Sequence, residues 1–343
     1  MPIIDIHGHV SSPAELYAYR SILLAGRGVH GRSGVKLPPD GVLRGAERHA
    51  GLLDAAGIDV QLISPRPFQL MHSEEPADIV RWWTKATNDA VAAQVAAFPE
   101  RFRGVAALPQ AVSTSPAQWV DELERCVAEL GFIGVLVNPD PAEGQDLGVP
   151  RIGNEWWYPL FAKMVELGVP GLVHSAGCRS TRESYSEHMI TEASRSVISL
   201  AESRALVDFP DLKLILSHGG GSVPYQIGRW RAARYLEQTE VEAYDTKDGS
   251  AVADVEPFDS SLSRLHFDSL VHDPHGLELL LKVIGPERVL FGTEIPGSGS
   301  PVNPETGRSY DDILSSLDSL EWLGADKRHQ VVEDNARRLY TRL

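Results

Sequence analysis

Eight short runs of β-branched and aliphatic residues alternate along this chain with segments whose apolar residues recur at helical spacing, and that alternation narrows the folds open to it. The runs are Pro2 to His9, Val60 to Ser64, Arg103 to Ala107, Gly134 to Val137, Val169 to His174, Leu212 to Ser217, Leu265 to Asp268 and Val289 to Gly292. Between them the helical segments are Gly41 to Ala56, Ala77 to Phe98, Pro116 to Leu130, Trp156 to Leu167, His188 to Val207, Pro224 to Glu237 and Gly276 to Val283. Strands this apolar have no face to offer water, so they belong to a parallel sheet covered by helices. Eight strand–helix repeats predict an α/β fold, a TIM-like (β/α)8 barrel rather than an open doubly wound sheet. One domain over residues 1–343 is the simplest account. Val10 to Asp40, Ser175 to Glu187 and the acidic Thr239 to Ser261 exceed ordinary connections. They read as loop insertions at the carboxyl-terminal face, where specificity is built.

Composition removes several classes of function. Acidic residues outnumber basic ones 47 to 32, the formal charge is -15, and no basic tract is long enough to track a phosphate backbone. Nucleic acid and anionic membrane surfaces are therefore poor partners. Two cysteines, Cys126 and Cys178, are too few for a disulfide framework and fit a reducing compartment. The opening apolar run has no basic flank and breaks at Asp5 and His7, unlike a signal peptide. No stretch approaches the roughly 18 apolar residues of a membrane span. The expectation is a soluble cytoplasmic protein.

His7 and His9 end the first run. Residues i and i+2 of a strand share a face, so two imidazoles there can reach one ion. In a parallel barrel the chemistry lies at the carboxyl ends of the strands, and His174 ends the fifth strand, His218 follows the sixth and Glu294 follows the eighth. Ligand-type side chains at separate strand ends point to a metal site rather than to a chance tripeptide.

Together, His-x-His on the first strand, histidines ending the fifth and sixth and an acid ending the eighth resemble the amidohydrolase superfamily over essentially the whole chain. More narrowly, Leu214-Ile215-Leu216-Ser217-His218-Gly219-Gly220-Gly221 and Leu290-Phe291-Gly292-Thr293-Glu294 resemble the branch that contains aminocarboxymuconate-semialdehyde decarboxylase. Most of that branch carries aspartate where this chain has Glu294. The glutamate, with His7-Gly8-His9, Ser64-Pro65-Arg66, Asn138-Pro139-Asp140-Pro141 and Val223-Pro224-Tyr225, is similar to the 4-oxalomesaconate hydratase group of aromatic-acid catabolism. The resemblance implies a metal-dependent hydro-lyase that adds water to an unsaturated oxo-di- or tricarboxylic acid, and a homodimer. The alternatives are a non-oxidative decarboxylase of an aromatic or muconate-type acid and a metal-dependent hydrolase, which use the same cage.

Binuclear amidohydrolases bridge two ions with a carboxylated lysine on strand four, whereas Val135-Leu136-Val137-Asn138 holds none. One divalent ion is expected, zinc by its preference for imidazole plus carboxylate, with manganese and iron(II) as alternatives. The ligand candidates are His7, His9, His174 and Glu294. His218 is either a second ligand or an acid/base, and Glu294, one methylene longer than aspartate, could also take a proton from water.

A polycarboxylate substrate needs local cations. Arg66 is the first candidate, with an ordinary salt bridge as its alternative, and Arg179 is a weaker one. Asn138 could bond substrate or cap the next turn, Tyr225 could bond substrate or start a helix, and Cys178 could touch substrate or simply pack. His188, His272 and His275 read as solvated or hydrogen-bonded rings.

Overall fold

The computed structural model describes residues 2–10, 13–238 and 257–343. Eight strands, β1 (Ile4–Val10), β2 (Val60–Pro65), β3 (Phe102–Ala106), β4 (Gly134–Val137), β5 (Gly171–Val173), β6 (Leu214–Leu216), β7 (His266–Asp268) and β8 (Val289–Leu290), pair in parallel in the order of the sequence. The sheet curls back on itself where the Ile6 N–H donates to the Phe291 carbonyl at 2.9 Å and the Glu294 N–H to the His7 carbonyl at 2.7 Å. Parallel neighbours require crossovers, and each is made by at least one helix, from Pro39–Ala56 after β1 to Pro274–Ile284 after β7. This is the TIM-like barrel that the alternation predicts.

Period-two alternation divides the core into two layers. Ile4, Ile6, Leu62, Val105, Leu136, Leu172, Ile215 and Leu290 form one cluster inside the barrel, while Ile63, Val135, Val137, Val173, Leu214, Leu216 and Val289 pack outward against the helices. Each such side chain, fully buried, stabilises the fold by about 1.5–3 kcal/mol before entropy is counted. Ala336, Leu339 and Tyr340, near the end of the chain, join the inner cluster, and a Cβ on Gly134 would meet the Tyr340 ring at 2.8 Å.

Strand β1 departs from a regular strand where it matters most. Ile4 and Ile6 face inward, so unbroken alternation would turn His7 and His9 outward. The register against β2 shifts between Asp5 and Gly8, and that extra residue lets His7 and His9 point into the mouth.

One segment differs from expectation. The stretch Val10 to Asp40 holds a helix, Ala14–Ala25, whose Leu16, Tyr19 and Leu23 are buried beside Ile79 and Trp83 of the helix Ala77–Ala97. Exposed Tyr17 and Ile22 blur its apolar stripe in the sequence. Of the acidic stretch Thr239 to Ser261, residues 239–256 lie outside the described residues. No helix among those described is long and apolar enough to cross a membrane.

Candidate metal centre and active site

Three imidazoles from two strands meet at the carboxyl-terminal mouth. His7, His9 and His174 are buried, with ring centroids 4.8–5.2 Å apart. Their outward nitrogens are each held by the protein: His7 Nδ1 donates to Asp268 Oδ2 at 2.7 Å, His9 Nδ1 to Ser64 Oγ at 2.8 Å and His174 Nδ1 to the Ser175 carbonyl at 2.6 Å. The Ser64 hydroxyl spends its own proton on the Pro65 carbonyl, so it must accept from His9. With protons fixed on Nδ1, all three Nε2 lone pairs face one point, and those of His7 and His9 stand 3.0 Å apart. Lone pairs so arranged repel one another unless a cation lies between them, so these residues fit a divalent ion.

Electrostatics agree with that fit. Burial pushes His9 and His174 well below the ordinary imidazole pKa, and the neighbouring rings push further, so both are neutral and able to coordinate. Burial alone would lower His7 as well, but the Asp268 hydrogen bond and charge outweigh it and raise the ring. Burial likewise pushes Asp268 up, but the His7 bond and charge, the His218 charge and the Gly219 N–H together more than reverse the effect.

Glu294 and His218 stand at the margin of the triad. Glu294 Oε1 is 3.9 Å from His9 Nε2, and its Oε2 accepts the Ser298 hydroxyl at 2.9 Å. His218 Nε2 lies 3.2 Å from His174 Nε2, and burial lowers its pKa. Arg66 directly follows β2, donates to the Pro296 carbonyl at 2.6 Å and, with Tyr17, Phe68, Gln69 and Ser300, lines a hollow of about 350 Å³. Burial lowers its pKa and the Glu294 charge raises it. A larger hollow, about 520 Å³, lies at the opposite ends of β5 to β7, lined by Met164, Phe209 and Lys213. Size alone would favour it, but the imidazole cluster is at the other end.

The remaining candidates have other partners. Asn138 donates to His72 Nδ1 at 2.8 Å and to the Asp140 carbonyl, and accepts the Asp140 N–H, which is the turn-capping alternative. Arg179 pairs with Glu74 at 2.5 Å and Glu143 at 3.2 Å. The Cys178 thiol points to the Glu183 carbonyl at 3.8 Å, with its pKa raised by burial. Tyr225 is 76% exposed on the helix Val223–Gln238. His188 is buried beside Glu183 and Asp140, and His272 donates to the Tyr310 carbonyl.

Sequence reasoning missed Asp268, which ends β7 and also accepts the Gly219 N–H at 2.9 Å. The strand-end rule that selects His174 selects Asp268 too. It also missed Tyr185, at the start of the helix Tyr185–Ala201, whose pKa rises to about 12 through burial and then the Glu294 charge.

Known proteins match this geometry. The amidohydrolase family model matches residues 4–342. A 2-keto-4-carboxy-3-hexenedioate hydratase of Sphingobium sp. is 33% identical over 294 residues, spanning 85% of this chain and 81% of that protein. The crystal structure of a 4-oxalomesaconate hydratase from Rhodopseudomonas palustris superposes with a TM-score of 0.84 at 29% identity, covering 99% of this chain and 96% of the other. A dihydroxybenzoic acid decarboxylase from Polaromonas sp., solved with bound manganese and an inhibitor, shares the fold at a TM-score of 0.69 and 22% identity, covering 99% and 97%. The chain belongs to the amidohydrolase family.

Proposed function

We propose that the chain is a metal-dependent hydratase that adds water across the conjugated double bond of an unsaturated oxo-di- or tricarboxylic acid, of the kind for which the Sphingobium relative is named. What carries this reading is the meeting of three Nε2-inward imidazoles with Glu294, a carboxylate free to act on water at their margin. His7, His9 and His174 would hold the ion, with Glu294 as the fourth ligand or its near neighbour. Zinc is the ion we assign, because neutral imidazoles and one carboxylate are its preferred set. When bound, a divalent ion supplies a positive centre that acidifies water and steadies charge on a carbonyl or enolate oxygen.

The protein's own groups do the rest. Glu294 Oε1 takes a proton from water as the water oxygen bonds to the β-carbon, and the double-bond electrons move toward the keto oxygen. His218, beside His174 and outside the tight triad, returns a proton at the α-carbon, so the product differs from the substrate by one water. Arg66 seats a carboxylate in the adjoining hollow.

Substrate conversion tests this reading. Purified protein loaded with zinc or manganese should bleach the conjugated absorbance of 2-keto-4-carboxy-3-hexenedioate and yield a product heavier by one water, with no carbon dioxide. Released carbon dioxide would assign a decarboxylase instead, and an unchanged substrate would reject this substrate class.

A further inference from the structure

Glu294 has φ 62°, in the left-handed region that a side chain enters only against steric resistance. Its two neighbours are held from behind, in the layer between the barrel wall and the helices. Asp5 Oδ1 accepts the His7 N–H at 2.9 Å and the Thr293 N–H at 3.1 Å, while Oδ2 accepts the Thr293 hydroxyl at 2.5 Å and Gln61 Nε2 at 2.7 Å. Thr293 Oγ1 in turn accepts the Ile295 N–H at 3.1 Å. On the other side of Glu294, the Ile295 carbonyl accepts Gln61 Nε2 at 2.8 Å and His49 Nε2 at 3.2 Å. His49 Nε2 also donates to Gln61 Oε1 at 2.8 Å, and Gln94 Nε2 donates to His49 Nδ1 at 2.9 Å, which keeps the imidazole proton on Nε2.

Asp5, His49, Gln61, Gln94 and Thr293 are all buried. A Cβ on Gly8 would stand 2.2 Å from the Gln61 amide, so that amide is wedged against the backbone between His7 and His9. Packing alone would be met by aliphatic residues in such a helix–sheet layer. A polar chain with every bond made supplies direction instead.

We infer that Asp5, Gln61, His49 and Gln94 form a clamp that positions Glu294, although His49 and Gln94 come from the helices Pro39–Ala56 and Ala77–Ala97 rather than from the mouth. The inference rests on the reading of Glu294 as the group that takes the proton of water. Gln61 and His49 are positioning residues, acting on turnover through the backbone either side of that carboxylate.

The test pairs Gln61→Leu and His49→Leu, each alone and combined with Glu294→Gln, with His49→Gln as the conservative variant that keeps a donor near the Nε2 position. In the background with Glu294 intact, either leucine variant should lower kcat by up to about 100-fold with KM little changed, the scale expected from misplacing a reacting group by an ångström. Neither should lower it further once Glu294 is glutamine, and His49→Gln should recover most of the loss. A crystal structure of His49→Leu or Gln61→Leu should show residue 294 displaced from φ near 62°. Losses that multiply undiminished in the Glu294→Gln background, or a crystal structure with Glu294 unmoved, overturn the clamp. If the parent protein turns over no oxo acid, the functional reading falls separately, and the crystal structure then decides the clamp by itself.

Discussion

The two ends of the barrel are built from opposite chemistry. At the amino-terminal end the interior is a plug of Ile4, Leu62, Leu136, Leu172, Ile215 and Leu290, joined by Tyr340 and holding its shape through dispersion and water exclusion. Toward the carboxyl ends of the strands the interior becomes His7, His9, His174 and Asp268, buried polar groups whose places are set by hydrogen bonds. One end can be changed in stability and the other in chemistry, and substitutions should separate accordingly.

The sharpest separation is expected at His174. Its alanine variant should lose bound metal and all measurable turnover together, while the plug beneath keeps the protein folded. Metal analysis and circular dichroism check both halves, and full activity in the variant would break the distinction. Glu294→Gln should retain metal on the three imidazoles yet lose about 10²–10⁴-fold in kcat, the range for removing a general base. Steady-state kinetics at matched metal occupancy decide it.

At the plug the expectation reverses. Leu172→Ala leaves a cavity among close-packed neighbours and should cost about 2–5 kcal/mol of stability, with kcat per folded molecule nearly unchanged. Denaturant titration and activity measured on the same sample test this, and a variant stable but inactive would contradict it.

Acid should blur the two ends. Burial lowers His9, His49, His72, His174, His218 and His266, with His72 pushed to about 3 and His266, at the amino-terminal end of β7, to about 4. In the unfolded chain these rings protonate near 6.5, so below that pH the unfolded state binds protons that the folded state refuses. Stability is therefore lost as pH falls, by about 2 kcal/mol at pH 5 for a ring such as His72. Asp5, raised to about 6 by burial, His7, raised by Asp268 against its burial, and Asp140 and Glu192, both raised by burial, bind protons in the folded state and oppose the trend. Six rings against four groups predict a metal-free Tm that drops between pH 7 and 5. A flat or rising Tm would show the imidazoles to be wet.

How much of this was legible follows from the same contrast. Strand–helix alternation and the rule that chemistry sits at strand ends place His7, His9, His174, His218 and Glu294 from sequence, because those are local patterns. Asp268 obeys the same rule, but a single acid at a strand end carries no motif that sets it apart in sequence. The bulge that turns His7 and His9 inward, and the chain from Gln94 through His49 and Gln61 to Asp5, depend on contacts between residues 12 to 288 positions apart in sequence, which no periodicity records. Loop residues are the least legible: Asn138 and Arg179 turn to His72, Glu74 and Glu143 in other loops, and Cys178 to the Glu183 carbonyl in its own, and none of these contacts follows from proximity in sequence to a strand end.

The central claim is that a single divalent ion is held by His7, His9 and His174. Anomalous diffraction from crystals of the metal-loaded protein tests it most directly. The expected result is one strong peak about 2.0–2.1 Å from all three Nε2 atoms, with Glu294 beside it. A peak elsewhere, or none in protein shown by analysis to carry metal, would contradict it.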